Sequence, residues 1–363
     1  LECEDTFLTL NALRELGVKI SDKGEEINIL GNGGGFAPFS GIKPIFLGNS
    51  GTSYRLLLSI VALAKGHYLL TGSQRMRQRP IKGLVKALNK LGVEVLCTAC
   101  EGFPPVYVKA KGMRGGKAHI DGAMSSQYLS SLLLAGPYAE MDVEIEVKGQ
   151  QVSRPYVDLT LDVMSQFGVQ VVCDGYSSFR IPTGQHYRGC EVLIEGDVSN
   201  ASYFWAAAAV TGGTVATDNV HPFTTKQGDI AFLNILEKMG CKIDRGADRV
   251  IVHGGSLAGI DADMNFMPDM VPTLAALGLF AEGRTSIRNV PHLRYKESDR
   301  LRSIAIELGR LGGHIEELPD GLIINGGRPL TGAIVNPHED HRIAMSLAVI
   351  GLMVPGVKIT NED

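Results

Sequence analysis

The chain has 363 residues, 44% hydrophobic and 20% charged, with a formal charge of −4 and a mean hydropathy of +0.08. That apolar fraction can fill a core, so disorder is excluded as the main state, and the length suggests two domains. The acidic balance offers no field for nucleic acid or an anionic membrane, and no apolar run is long enough to span a bilayer, so neither partner is expected.

Helical patterns that end in a glycine and run into a strand recur five times along the chain. They are LNALRELGVKI (10–20), LVKALNKLGVEV (84–95), LDVMSQFGVQV (161–171), LNILEKMGCKI (233–243) and IAIELGRLGGHIEE (304–317). The turn glycines are Gly17, Gly92, Gly168, Gly240 and Gly312, spaced by 75, 76, 72 and 72 residues. In the second copy Leu84, Leu88 and Leu91 share one helical face. The glycine supplies the left-handed conformation that stops a helix, and alternation after it predicts a strand.

A second series runs in register, each copy a short polar cluster opening an apolar helix. The openings are Gly51-Thr52, Ser125-Ser126-Gln127, Asp197 to Asn200, Asp269, and Asp340-His341-Arg342. Any one of them reads as an ordinary N-cap. Five in register predict an α/β unit of about 70 residues, with equivalent helix N-termini converging where positive dipole ends and free N–H groups suit anions. The expected fold is therefore α/β, two similar domains of repeated βαβαββ-like units, with a substrate cleft between them. The boundary is expected near Glu195-Gly196, giving domains 1–195 and 196–363. Continuing the period puts a sixth turn glycine near position ~386, so the sequence is expected to be trimmed at both ends, with an incomplete sixth unit.

The six cysteines make no disulfide framework, and Cys97-Cys100 is a lone CxxC with no partner motif at zinc spacing. Neither a metal nor an organic cofactor is expected. Reduced thiols, and an acidic opening LECEDTF that is unlike a signal peptide, point to the cytoplasm.

Eight segments cluster polar residues that a core would not choose. They are GNSGTSYR (48–55), RQRPI (77–81), DGAMSSQ (121–127), SRPYVDLTLD (153–162), EGDVSNASYF (195–204), MPDM (267–270), YKESDR (295–300) and EDHRIAM (339–345). Taken singly they have plain readings. Arg79 before Pro80 is a loop-edge charge, Ser125-Ser126 a cap, Tyr156 a core residue, the 296–300 run a solvated face, and His341 a cap or packed histidine. Arg55, in a leucine-rich helix, reads as a structural pairing.

In this order the segments resemble the 5-enolpyruvylshikimate-3-phosphate synthase family, over nearly the whole chain. The resemblance implies an inside-out α/β fold and transfer of the enolpyruvyl group of phosphoenolpyruvate to the 5-hydroxyl of shikimate 3-phosphate, with release of phosphate. It implies Gly51, Arg79, Gln127, Arg300 and Arg342 for phosphoenolpyruvate. For shikimate 3-phosphate it implies Ser125, Ser126, Gln127, Ser153, Tyr156, Asp269 and Lys296. Glu297 would be the acid serving carbon and Asp269 the base at the hydroxyl, with Asn49, Thr52, His292 and His341 in support. Residues 1–195 would then be largely the shikimate 3-phosphate side and 196–363 the acid/base and phosphoenolpyruvate side. If a helix starts at Lys296, that lysine and Arg300 share a face. Planar guanidiniums suit substrates carrying carboxylates and phosphates.

The chain departs from the family pattern in places. The family's N-terminal Lys-Ser segment and C-terminal lysine fall outside it, His292 stands for an asparagine, and Leu56 stands where proline often follows the arginine. Two alternatives remain. One is an inactive fragment that binds shikimate 3-phosphate or a related anion. The other is the UDP-N-acetylglucosamine enolpyruvyl transferase, against which residues 72–78 hold no cysteine. A monomer is expected.

Overall fold

The computed structural model describes residues 3–22 and 26–360. It divides into two compact units, Leu1–Val192 and Leu193–Asp363.

The first unit opens with α1 (Glu4–Glu15) and the antiparallel pair β1 (Lys19–Asp22) and β2 (Ile27–Leu30). Two full copies of one pattern follow. The first runs β3 (Ile42–Phe46), α2 (Gly51–Ala62), β4 (Lys65–Thr71), α3 (Lys82–Lys90), β5 (Glu94–Cys97) and β6 (Val106–Lys111). The second runs β7 (Gly116–Asp121), α4 (Ser126–Ala135), β8 (Val143–Lys148), α5 (Arg154–Gln166), β9 (Val172–Asp174) and β10 (Ser178–Ile181). The sheets have the same order, β3-β4-β6-β5 and β7-β8-β10-β9. In each, the first two strands are parallel across a helical crossover and the other pairs are antiparallel.

The second unit repeats the scheme. It has α6 (Val198–Thr211), β11 (Thr214–Asp218), α7 (Phe232–Met239), β12 (Lys242–Arg245) and β13 (Arg249–His253), with sheet order β11-β13-β12. A full copy follows in β14 (Asp261–Asp263), α8 (Val271–Phe280), β15 (Arg284–Arg288), α9 (Arg300–Arg310), β16 (His314–Leu318) and β17 (Gly321–Asn325), ordered β14-β15-β17-β16. Last come β18 (Ile334–Val335), α10 (His341–Gly351) and β19 (Lys358–Ile359), the strands parallel. The repeated βαβαββ unit expected from the periodicity is the repeat observed.

Two classes of helix explain the layers. Helices α2, α4, α6 and α8 carry apolar residues all round and are largely buried, as helices at the centre of a core must be. Helices α3, α7 and α9 are one-sided, and in α3 the buried face is Leu84, Val85, Ala87 and Leu88. All five turn glycines lie in the left-handed region, with φ of 90°, 88°, 83°, 115° and 88° in chain order. A side chain there would strain each helix stop. Each unit has its own core, and in the second α6, α8 and α10 pack on one another.

Candidate active site

In the first unit the site grows from the starts of α2 and α4. Ser50 caps α2, its hydroxyl accepting from the Ser53 N–H at 3.2 Å. Gly51 is the first helical residue, and a Cβ there would lie 2.3 Å from Arg79 Nη2 and 2.9 Å from Arg55 Nη1. Any side chain there would have to displace these two guanidiniums. Arg79 leaves a 3-10 turn (Met76–Gln78) in extended conformation, the geometry a following proline favours. It is 1% exposed and donates to the Asn49 carbonyl at 2.6 Å. Burial overturns the reading of Arg79 as a loop-edge surface charge.

Arg55 is buried as well. It donates to Gln127 Oε1 at 2.7 Å and lies 5.7 Å from the centre of the Tyr128 ring. Gln127 Nε2 donates to Thr52 Oγ1 at 2.9 Å, so Gln127 ties the start of α4 to that of α2. Ser125 caps α4, accepting from the Gln127 N–H at 3.2 Å, and Ser126 is buried at the first helical position. Ser153 takes a left-handed φ of 53° just before α5. The Val152 N–H donates to the Gly122 carbonyl, which sets that turn beside the 121–127 segment. Tyr156 is half-buried in the first turn of α5.

In the second unit three cations and three carboxylates interlock. Arg300 is 1% exposed. Its Nε donates to Asp340 Oδ2 at 2.8 Å, its Nη1 to Asp269 Oδ1 at 2.8 Å and its Nη2 to Glu297 Oε2 at 2.7 Å. Asp269 also pairs with Lys296 at 3.4 Å and Arg342 at 3.3 Å. Burial works against the charge on Asp269, but Arg342, Lys296 and Arg300 together hold its carboxyl well below the usual range. Burial likewise opposes the charge of Arg300, and Asp340, Glu297 and Asp269 hold it firmly protonated. Arg294 steadies the strand-side edge, its Nη1 donating to Asp299 and Glu317.

His292 is buried, and neither ring nitrogen has a hydrogen-bond partner among the described residues. Burial, with Lys296 and Arg300 nearby, pushes its pKa down to about 4, so the ring is neutral at pH 7.

Three sequence expectations need correction. The 296–300 run is not a solvated face, because Arg300 and Ser298 are buried in the ion network. Lys296 does not share a helical face with Arg300. It is extended at φ −86° and ψ −158°, since Asp299 caps α9 and the helix begins only at Arg300. The two cations meet at Asp269 instead. His341 is neither a cap nor packed: Asp340 caps α10, and His341 is exposed at the first helical position, with no hydrogen bond or ion pair among the described residues.

Four of the five helix openings carry a side-chain cap, from Ser50, Ser125, Asp197 and Asp340. The fifth does not. Asp269 sits in a 3-10 turn (Pro268–Met270) ahead of α8, and its carboxylate is given to cations.

The model of the EPSP synthase (3-phosphoshikimate 1-carboxyvinyltransferase) family matches residues 1–363. The chain belongs to the EPSP synthase family. A 3-phosphoshikimate 1-carboxyvinyltransferase of Sulfurovum sp. (strain NBC37-1) is 43% identical over 368 residues, covering all of this chain and 85% of the relative. One of Syntrophobacter fumaroxidans is 45% identical over 365 residues, covering all of this chain and 86% of the relative. Among solved structures, an EPSP synthase of Acinetobacter baumannii superposes with a TM-score of 0.77 at 30% identity, over 99% of this chain and 84% of that one.

Within this family chain, Asp340 is the residue whose part in the cluster the sequence reading missed. It was legible only as a cap, which it is, with Oδ1 accepting from the Arg342 N–H. The same carboxylate grips Arg300 through both oxygens, a long-range pairing with no local signal. Tyr203, inside the 195–204 motif, is a second such residue. It is buried on α6, with Arg342 and Arg300 beside its hydroxyl and burial pushing its pKa up.

Proposed function

We propose that the chain transfers the enolpyruvyl group from phosphoenolpyruvate to the 5-hydroxyl of shikimate 3-phosphate and releases phosphate. The observation that carries this is the family match along the whole chain, with Arg300, Arg342, Lys296, Asp269 and Glu297 in one cluster. Both substrates are multiply anionic, and the cations of that cluster are the groups such ligands need. In this reading Gly51, Arg79, Gln127, Arg300 and Arg342 hold phosphoenolpyruvate. Ser125, Ser126, Gln127, Ser153, Tyr156, Asp269 and Lys296 hold shikimate 3-phosphate, with Asn49, Thr52 and His292 supporting. In this reading the chain works as a cytoplasmic monomer.

The chemistry follows from the charges. Glu297, in its protonated form, gives a proton to the methylene carbon of phosphoenolpyruvate, and the neighbouring carbon becomes cationic and open to attack. Asp269 takes the proton of the attacking 5-hydroxyl as the new C–O bond forms. The three cations around Asp269 keep it ionised, so it begins as a base. Anionic substrates that engage those cations offset their charge and raise the basicity of Asp269 when the proton must move. The tetrahedral adduct then loses phosphate as its C–O bond breaks and the methyl group returns its proton to the Glu297 carboxylate, forming the new C=C bond.

Phosphate release measured with both substrates, and with each omitted, tests the reading. Release should require both. Glu297→Gln should keep substrate binding and lose about 10²- to 10⁴-fold in turnover, the range of a lost general acid. Tight binding of both substrates with no release would favour a binding protein instead.

A further inference from the structure

We propose that Glu307 is a positioning residue which, with His338, fixes the 336–342 segment so that Asp340 and Arg342 reach the ion cluster. Glu307 is fully buried on the face of α9 that also buries Arg300, Leu301, Ser303, Ile304 and Leu308. A carboxylate on such a face is costly unless donors surround it. Its donors come mostly from one loop. The Asn336 N–H reaches Oε2 at 3.0 Å and the His338 ring Nε2 lies 2.8 Å from Oε1, while Arg310 Nη1 reaches Oε2 at 3.1 Å.

The loop needs such an anchor. His338 and Glu339 both adopt left-handed backbone, φ 57° and 55°, which residues with a side chain avoid. Strain of this kind persists only where surrounding contacts over-determine it. Asn336 Oδ1 accepts from the His338 N–H at 2.7 Å, and the Asp340 N–H donates to the Pro337 carbonyl at 3.0 Å. The chain leaves this turn directly into Asp340, which grips Arg300, and Arg342, which pairs with Asp269. Arg300 and Glu307 are seven residues apart, two turns of the same helix, and lie on one face. Helix α9 therefore holds the segment at two points, at Asp340 through Arg300 and at Asn336 and His338 through Glu307.

The functional part of this inference rests on the reading that Arg342 holds phosphoenolpyruvate. The test combines amide hydrogen exchange of 336–342 without substrate and steady-state kinetics, on wild type, Glu307→Gln, Arg342→Lys and the double variant. Glu307→Gln keeps the shape and removes the charge. It should speed exchange in 336–342 by about 10-fold or more, as a local anchor is lost. It should also raise the KM for phosphoenolpyruvate by about 10-fold, with kcat changed much less, because misplacing a binding arginine by under an ångström is enough. In the Arg342→Lys background Glu307→Gln should add nothing further to KM. Unchanged exchange, an unchanged KM or fully additive effects each overturn the proposal. A normal KM in Arg342→Lys alone sinks the substrate reading, and the exchange measurement then decides the clamp by itself. Should Glu307→Gln fail to fold, His338→Ala, which removes the partly exposed partner, carries the same measurements.

Discussion

The two units hold their buried arginines in different ways. In the first, Arg79 leans on the Asn49 carbonyl, and Arg55 on the Gln127 amide and the Tyr128 ring. In the second, Arg300 is held by three carboxylates, one of which also takes Lys296 and Arg342. Neutral oxygens and rings keep their form over the whole working pH range. Carboxylates hold more strongly, but only while ionised, and they can exchange protons with a substrate. The same residue type is thus held by neutral groups in one unit and by carboxylates in the other.

The largest expected effect comes from breaking the stronger grip. Arg300→Met leaves three carboxylates without their central partner, and loss of one member of a buried ion network costs about 3–5 kcal/mol. Trp205, the sole tryptophan, is buried in α6 of the second unit, so denaturant unfolding followed by its fluorescence reads this loss where it occurs. Arg79→Met should cost the first unit less, about 1–3 kcal/mol, the range for hydrogen bonds lost from buried groups. Equal losses at the two sites would break the comparison.

Gly51→Ala sharpens the first-unit half. The new methyl would lie 2.3 Å from Arg79 Nη2, so that buried guanidinium must shift, and overpacking of this kind costs about 1–3 kcal/mol. Part of that should fall on the substrate, seen as a KM for phosphoenolpyruvate raised by about 10-fold. A normal KM would mean that Arg79 swings aside freely.

Acid should separate the units further. The carboxyl of Asp269 is lowered in the folded chain, so its contribution is fully present above the ordinary carboxylate value. It is lost as pH falls through the lower, folded value. Stability of the second unit, read by Trp205, should be insensitive to Asp269 above about pH 4 and fall below it. Asp269→Asn should remove that share of the acid slope, and identical slopes in the two proteins would contradict the assignment.

The smallest effect is expected at His341. Exposed and without a hydrogen bond or ion pair among the described residues, it should tolerate His341→Ala with kcat/KM changed by less than about 2-fold, as most surface substitutions do. A larger drop would restore it to the site.

What the sequence determined by itself was local and periodic. Glycines at a spacing of 72 to 76 residues could only mark helix stops, because left-handed backbone excludes side chains, and all five do so. Ser125 and Asp340 announced themselves as caps, since capping is a contact within four residues. Repetition of these signals was enough to read the βαβαββ unit, and motif order was enough to read the family. Only the tertiary structure decided which charges lie inside and what they touch. Arg79 and Arg300 look like surface charges in sequence and are among the most buried side chains in the protein. Lys296 reaches Asp269 from an extended segment rather than from a helix. Asp340 and Glu307 gain their partners across 40 and 29 or more residues of chain. The physical reason is range. Turns and caps are set by neighbours in sequence, whereas burial of a charge depends on partners that only the packed repeats bring within 3 Å.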